Sequence, residues 1–130
     1  MIGGEALFSV TLRRPLESRH FIPQLEGPEN VEHMHRYNVE ATVMGDRLDE
    51  CGFLVDVDLV AASLEGVLMR FEGELLNAMP EFQGMTPSME NLAKAIHSAL
   101  ATDIARSCVE RIKVTIWEAE DICASFDDNC

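Results

Sequence analysis

The sequence predicts an α+β fold, in which a four-stranded antiparallel sheet carries two helices on one face. Near both ends of the chain, apolar and polar residues alternate, which is typical of half-buried strands. Between these regions, from residue 58 to residue 104, apolar residues recur at helical spacing. No repeat, linker or low-complexity segment divides the 130 residues, so we expect a single domain over residues 1–130 with the order β-β-α-α-β-β.

Two strands are predicted before the helices. Residues 5–12 place apolar side chains on one side, Pro15 then disturbs the backbone, and the segment resumes up to residue 22. Residues 24–32 contain glycine, proline and asparagine and are predicted to form a loop. The second strand follows from about His33 to Met44, and the apolar run at residues 52–57 is predicted to be a short strand or strand extension.

Two amphipathic helices are predicted next. Asp58 is the expected N-cap of the first helix. The second is expected to begin with Thr86 as its cap and Pro87 at its first position, where proline is favoured. The apolar stripes of the two helices are Val60, Leu64, Val67, Leu68 and Phe71, followed by Met89, Leu92, Ala93, Ile96, Ala99, Leu100 and Ile104.

The last two strands follow the helices. Residues 109–118 alternate, with Ile112, Val114 and Ile116 on one side, and residues 122–126 form a short closing strand before an acidic tail. By this alternation Glu118 continues the apolar side of its strand. We therefore expect its carboxylate to be partly buried, although a solvated acid at a strand end is the simpler alternative.

The net charge of −13 argues against binding to nucleic acids or to anionic membranes. Four arginines, Arg13, Arg14, Arg19 and Arg36, lie within 24 residues, either as a solvated edge or as a local site for a small anion. The sequence has no apolar run of 18 residues and no signal-peptide pattern, so we expect no membrane span and a cytoplasmic location. The four cysteines form no CxxC pair and are expected to be reduced.

Two of the four histidines open the second predicted strand, in the stretch VEHMHRYNVEATV at residues 31–43. Strand alternation turns His33 and His35 to the same side as Tyr37 and the apolar residues that follow. Imidazoles on a buried face need partners, because unsatisfied buried polar groups are costly. A metal ion would serve both histidines at once.

The chain resembles the family of 6-pyruvoyltetrahydropterin and 6-carboxytetrahydropterin synthases. The resemblance extends over nearly the whole chain and is carried by the stretches SRHFI, HMHRYNVEATV, GFLVDV, LLNAMPEF, TPSMENLA and VTIWEA. It implies that His20, His33 and His35 bind zinc as cofactor and that Glu118 anchors a pterin ring. Three histidines leave one zinc position open, as in catalytic sites.

The same resemblance implies the tunnelling fold and an oligomer. In that arrangement the sheets of three subunits close a barrel, two rings stack into a hexamer, and the active sites lie between subunits. Barrel closure also pairs sheet edges that would otherwise be open to aggregation.

Three departures from the family pattern bear on the chemistry. The usual cysteine ahead of the HxH motif is missing, and Glu29 stands four residues before His33, as in a branch of the family that has glutamate there. The Asp-His pair at the end of the first helix is replaced by Glu72 and Gly73. The usual HGH motif reads HMH and is followed by Arg36, which could reach a phosphate or be exposed. His97, the remaining histidine, is expected to be structural and half-buried.

These residues lead to one principal prediction and two alternatives. The principal one is a zinc-dependent lyase that acts on 7,8-dihydroneopterin triphosphate and cleaves its side chain to 6-hydroxymethyl-7,8-dihydropterin, a folate-type precursor, with Glu29 as the base. One alternative is a 6-carboxytetrahydropterin synthase of queuosine and deazapurine biosynthesis. The other is a pterin-binding protein without catalysis, in which Glu29 is an ordinary loop acid.

Overall fold

The computed structural model describes residues 6–104 and 108–130 and confirms the predicted α+β architecture. Its four strands follow one another in the sheet in chain order, and each neighbouring pair is antiparallel. The strands are β1 (Phe8–His20), β2 (His33–Gly45), β3 (Arg111–Ala119) and β4 (Ile122–Asn129), and the helices are α1 (Val57–Phe71) and α2 (Met89–Ile104). Both helices lie between β2 and β3 in the chain.

The core lies between the helices and one face of the sheet. The predicted stripe of α1 is buried throughout, and most of the α2 stripe is buried, with Met89 and Ala99 packed at its margin. On the sheet, the row that begins with Tyr37 on β2 is buried as alternation predicts. Helix α2 packs on β3 and β4, while α1 packs on α2 and β1. No helix in the described ranges has an apolar stretch long enough to cross a membrane.

Strand β1 runs without a break through Pro15, where the sequence indicated a disturbance. Proline cannot donate a hydrogen bond to a neighbouring strand, so it is tolerated in a strand at the edge of a sheet. β1 is such a strand, because its only sheet neighbour among the described strands is β2. Because β1 continues through Pro15, His20 is the last residue of the same strand.

The prediction of a strand at residues 52–57 is wrong. Asp49 folds this segment into a loop, because its side chain accepts hydrogen bonds from the backbone N–H groups of Cys51 (2.9 Å) and Phe53 (3.0 Å). Leu54 and Val55 belong to this loop, and their side chains are buried in the core. The apolar run therefore reflects burial and not strand pairing.

Both helices begin at other residues than the sequence indicated. Asp56, not Asp58, caps α1, and its side chain accepts a hydrogen bond from the Asp58 backbone N–H at 2.9 Å. At the start of α2, the Ser88 hydroxyl accepts one from the Asn91 backbone N–H at 3.1 Å, so Pro87 lies just ahead of the helix. Several residues at each start could serve as caps, and tertiary packing decides between them.

The last strand extends beyond residue 126 and takes up most of the predicted acidic tail. Arg111 on β3 forms an ion pair with Asp127 at 2.6 Å. The backbone carbonyl of Asp128 accepts a hydrogen bond from His97 Nε2 at 3.2 Å. These contacts hold the acidic residues against the sheet.

Candidate metal centre

Three histidines meet at one end of the sheet because of the pairing of β1 with β2. His20, the last residue of β1, pairs directly with His33, the first residue of β2, and Ser18 pairs with His35. All three histidines lie on the helix-facing side, in the rows that contain Leu16 and Tyr37. Together with Glu29 they offer four ligand atoms that all lie within 4.8 Å of one another.

Each imidazole has an outer partner on its Nδ1 atom. His33 Nδ1 donates to the backbone carbonyl of Val31 at 2.6 Å, and His35 Nδ1 lies 3.4 Å from Glu118 Oε1. His20 Nδ1 lies 3.4 Å from the Tyr37 hydroxyl. The Val31 carbonyl can only accept, so the His33 ring carries its proton on Nδ1 and keeps an electron pair on Nε2, and the Glu118 carboxylate favours the same arrangement for His35.

The Nε2 atoms of His33 and His35 turn toward one another, the His20 ring lies against both, and the group fits a metal ion. The Nε2 atoms of His33 and His35 are 2.6 Å apart, and that of His20 is buried without a hydrogen-bond partner. Two nitrogens that both present electron pairs repel at this distance, and a shared cation removes the repulsion. Neutral imidazole nitrogens with fixed outer partners are typical zinc ligands.

The surroundings of His20 and His35 favour the neutral form of these two rings. Burial, followed by the nearby His35 and His33, lowers the pKa of His20 to about 4. Burial and the neighbouring His33 also lower the pKa of His35. Metal binding requires unprotonated imidazoles, so lowered pKa values favour the metal-binding form at neutral pH.

Glu29 reaches this centre from a turn between the two strands. The single helical turn Gly27–Asn30 carries it, and the Glu29 carbonyl accepts a hydrogen bond from the Ile22 N–H at 2.7 Å. Its carboxylate Oε2 atom lies 3.4 Å from His33 Nε2. An ion pair between Arg19 and Glu32 at 2.7 Å fixes the end of the same turn against β1. Glu29 is therefore close enough to act on a group bound at the three histidines.

Glu118 approaches the centre from β3. The pairing of β3 with β4 shifts between Trp117 and Ala119, so Glu118 is an extra residue without a partner on β4. Such a bulge redirects a side chain and often lies beside a functional site. The Glu118 side chain is 35% exposed, which leaves part of its carboxylate open to a ligand as well as to His35.

Glu72 and Gly73, which replace the family's Asp-His pair, form hydrogen bonds with the backbone of β1. Glu72 accepts a hydrogen bond from the Glu17 N–H at 3.1 Å, and the Gly73 N–H donates to the Glu17 carbonyl at 2.7 Å. Gly73 has a positive φ of 72°, a conformation that suits glycine. His97 is buried and packs edge-on against Phe126, so it is structural and more deeply buried than predicted.

The arginines near the histidines are held by carboxylates. Arg36 lies on the sheet face away from the helices, remains 83% exposed and forms an ion pair with Glu17 at 3.0 Å. Arg13 and Arg14 likewise pair with Glu40 and Glu65. Met34 lies on the same outer face as Arg36 and is half exposed.

The contacts of Tyr37 in this centre were not indicated by the sequence. Alternation predicted its side, but not that its hydroxyl would meet the ring of His20 from the neighbouring strand. The aromatic residue two positions after an HxH pair, on the same side, is the signal from which this contact could have been suspected.

The four-stranded sheet with two helices on one face is the architecture of the tunnelling fold. Among solved structures, the chain is similar to 6-pyruvoyl tetrahydropterin synthase of Caenorhabditis elegans, with a TM-score of 0.80 and 17% identity over 95% of this chain and 97% of that one. It is also similar to the Plasmodium vivax 6-pyruvoyltetrahydropterin synthase, solved as a catalytic residue mutant with glutamate changed to alanine, with a TM-score of 0.78 and 16% identity over 97% of this chain and 100% of that one. At these identities the similarity establishes the fold.

The chain belongs to the 6-pyruvoyl tetrahydropterin synthase family, whose model matches residues 9–129. A curated relative is the 6-carboxy-5,6,7,8-tetrahydropterin synthase of Bacillus subtilis (strain 168), which is 33% identical over 87 residues. That match covers 63% of this chain and 58% of the Bacillus protein, so the chain spans little more than half of this relative's length.

Proposed function

We propose that the protein is a zinc-dependent lyase that cleaves the side chain of 7,8-dihydroneopterin triphosphate to 6-hydroxymethyl-7,8-dihydropterin. The observation that carries the proposal is the convergence of three imidazoles with the carboxylate of Glu29 within 4.8 Å. A candidate metal site and a candidate base thus lie side by side. Membership of the family supports the pterin as the class of substrate.

His20, His33 and His35 would hold the zinc ion through their Nε2 atoms. When bound there, zinc supplies a Lewis acid that lowers the pKa of a substrate hydroxyl. The protein residues orient this site, because the Nδ1 atoms of all three ligands have partners on the chain itself.

Glu29 would act as the general base. It accepts the proton of the side-chain hydroxyl that is farther from the pterin ring, and the O–H electrons form an aldehyde carbonyl. The bond between the two hydroxyl-bearing carbons breaks, and its electron pair moves into the ring imine. The carbon attached to the ring then takes up the proton that Glu29 accepted, and the imine is restored. The products are 6-hydroxymethyl-7,8-dihydropterin and glycolaldehyde triphosphate. The Plasmodium vivax relative, in which glutamate is a catalytic residue, supports a carboxylate in this role.

Glu118 would orient the pterin. A carboxylate can accept hydrogen bonds from a ring N–H and from the exocyclic amine at once. Its position beside His35 supports this role, because a ring held by Glu118 would direct its side chain toward the histidines. The same carboxylate would therefore serve both the substrate and a metal ligand.

Two other functions each have an observation in their favour. Similarity to the Bacillus subtilis enzyme favours a 6-carboxytetrahydropterin synthase. The absence of a histidine at Gly73 favours a pterin-binding protein without catalysis, because the family's Asp-His pair is not formed from Glu72 and Gly73. The proximity of Glu29 to His33 supports the lyase over both.

We also propose that copies of the chain assemble, as a hexamer built from two trimers. β1 and β4 are the outer strands of the described sheet, and open strand edges favour pairing with another chain. Edge-to-edge pairing would join β4 of one copy to β1 of the next and close a barrel. Sedimentation analysis of the purified protein tests this stoichiometry.

The reaction is tested by incubating the zinc-loaded protein with 7,8-dihydroneopterin triphosphate and identifying the products by mass. The lyase predicts 6-hydroxymethyl-7,8-dihydropterin, and removal of zinc by a chelator should abolish its formation. A 6-carboxy product would support the synthase instead. Recovery of bound but unchanged substrate would support the binding protein.

A further inference from the structure

We infer that Tyr37 is a positioning residue of the metal centre, which holds the His20 ring so that its Nε2 atom faces the metal. The inference rests on the metal binding that forms part of the proposed function. Tyr37 lies two residues after His35 on β2, so both side chains point to the helix-facing side. Its side chain is buried, with 2% of its surface exposed.

Tyr37 contacts two of the three proposed ligands. Its hydroxyl oxygen lies 3.4 Å from His20 Nδ1, across the pairing of β1 with β2. Its ring stacks on the ring of His35, with centroids 5.4 Å apart and planes only 11° from parallel. One rigid side chain therefore fixes ligands that come from both strands.

The outer contact of His20 differs in kind from those of the other two ligands. The Val31 carbonyl, an obligatory acceptor, fixes the proton of His33 on Nδ1, and the Glu118 carboxylate favours the same arrangement for His35. His20 Nδ1 instead lies 3.4 Å from the Tyr37 hydroxyl, and the Pro87 carbonyl also accepts a hydrogen bond from the His20 ring. When His20 donates its Nδ1 proton to the Tyr37 oxygen, its buried Nε2 atom keeps the electron pair that a metal needs.

Loss of an outer partner of this kind weakens metal binding by about 10- to 100-fold. The hydroxyl of Tyr37 lies where it can accept the Nδ1 proton, and this contact favours the ring orientation in which Nε2 faces the metal. Without it, the His20 ring can carry its proton on Nε2 or rotate, and in either case it no longer presents an electron pair to the metal. The expected consequence is weaker zinc binding without loss of the fold.

Tyr37→Phe tests the inference, because phenylalanine keeps the ring, its burial and its stacking on His35. Zinc affinity is measured by competition with a chromophoric chelator, and the variant should bind about 10- to 100-fold more weakly than the wild type. Val39→Ala is the matched control, since Val39 is the next residue on the same side of β2, is fully buried, and leaves the Tyr37 hydroxyl in place. If both variants lose affinity equally, a loosened core explains the loss and the inference fails.

A second measurement reads the His20 ring directly. Nitrogen-15 NMR of the zinc-free protein should show the His20 proton on Nδ1 in the wild type and a mixture of both forms in Tyr37→Phe. A proton on Nε2 in the wild type would overturn the inference. A zinc affinity of Tyr37→Phe within about twofold of the wild-type affinity would also overturn the inference. In that case the Pro87 carbonyl holds the His20 ring.

The two proposals can fail separately. A wild-type protein that does not bind zinc at all would contradict the proposed function, and the NMR measurement would still decide whether Tyr37 sets the His20 proton. A wild type that binds zinc with an unaffected Tyr37→Phe variant would contradict the role of Tyr37 alone.

Discussion

His20 and His33 face each other directly across the pairing of β1 with β2, at the last residue of one strand and the first residue of the other. Their ring centroids are 4.8 Å apart, and the ring planes are at an angle of 89°. This pairing connects a histidine that is distant in sequence with a local HxH pair. The candidate metal centre is therefore a consequence of strand register.

Removal of one proposed ligand should abolish tight zinc binding. His35→Ala removes one of three Nε2 atoms, and we expect zinc content after dialysis to fall from about one ion per chain to nearly none. His97→Gln is the matched control, because His97 is buried elsewhere, on Asp128 and Phe126, and its loss should lower stability but not zinc content. Equal zinc content in wild type and His35→Ala, measured by atomic emission, would contradict the ligand assignment.

The zinc-free protein should lose stability in mild acid because of His20. Its pKa is about 4 in the folded protein, owing first to burial, and 6.5 in the unfolded chain. Between these values the unfolded chain binds a proton that the folded protein does not, so the free energy of unfolding falls as the pH falls. The contribution of neutral His20 is fully present above about pH 6.5 and is lost as the pH approaches 4.

This acid sensitivity is measured by urea unfolding of the zinc-free protein at pH 7 and pH 5. Wild type should lose about 2 kcal/mol more than His20→Gln over this interval, since one pKa unit corresponds to about 1.4 kcal/mol. The comparison cancels the contributions of the carboxylates, which are the same in both proteins. Identical losses would show that His20 titrates normally.

Gly73 should be required for its backbone conformation alone. Its φ is 72°, while a Cβ atom placed there would meet nothing within 4 Å. Gly73→Ala should therefore lower the free energy of unfolding by about 1 to 2 kcal/mol through backbone strain. Gly66→Ala is the control, because Gly66 is also exposed with open space around it but lies within α1, where alanine should stabilise by up to about 1 kcal/mol. Thermal or urea unfolding of both variants measures the difference, and the same sign for both would contradict this account.

Asn77 should matter for both stability and zinc binding. Its side chain accepts a hydrogen bond from the Phe21 N–H at 3.0 Å and donates one to the Phe21 carbonyl at 2.9 Å. Phe21 is the residue immediately after His20. Asn77→Ala should cost about 2 kcal/mol, at about 1 kcal/mol for each hydrogen bond, and should also weaken zinc binding. Asn91→Ala, which removes a similar half-buried amide from the start of α2, should lower stability but leave zinc affinity unchanged. An Asn77→Ala protein with wild-type zinc affinity would show that Phe21 does not position His20.

The sequence predicts the main elements because their patterns are local. The alternation around Val39 and the stripe from Val60 to Phe71 follow from burial on one side, and both are present in the structure. The loop at residues 52–57 was misassigned because an apolar run indicates burial without indicating what it packs against. Here Asp49, through its own hydrogen bonds, decides the backbone conformation.

The candidate site was predictable by residue type but not by contact. The spacing of His33 and His35 shows that they share a side, and the family resemblance added His20, Glu29 and Glu118. The outer partners depend on strand register, a bulge and the path of a loop. The contact between Tyr37 and His20, and that between Glu118 and His35, are therefore established only by the three-dimensional structure.

The proposed function depends most on the combination of a metal site with Glu29 as base. The measurement that tests it most directly is the rate at which zinc-loaded wild type and Glu29→Gln form 6-hydroxymethyl-7,8-dihydropterin, with the zinc content of both measured in the same samples. We expect equal zinc content and a rate at least about 100-fold lower for Glu29→Gln, because glutamine cannot accept the proton. A zinc-loaded Glu29→Gln protein that forms the product at the wild-type rate would contradict the account.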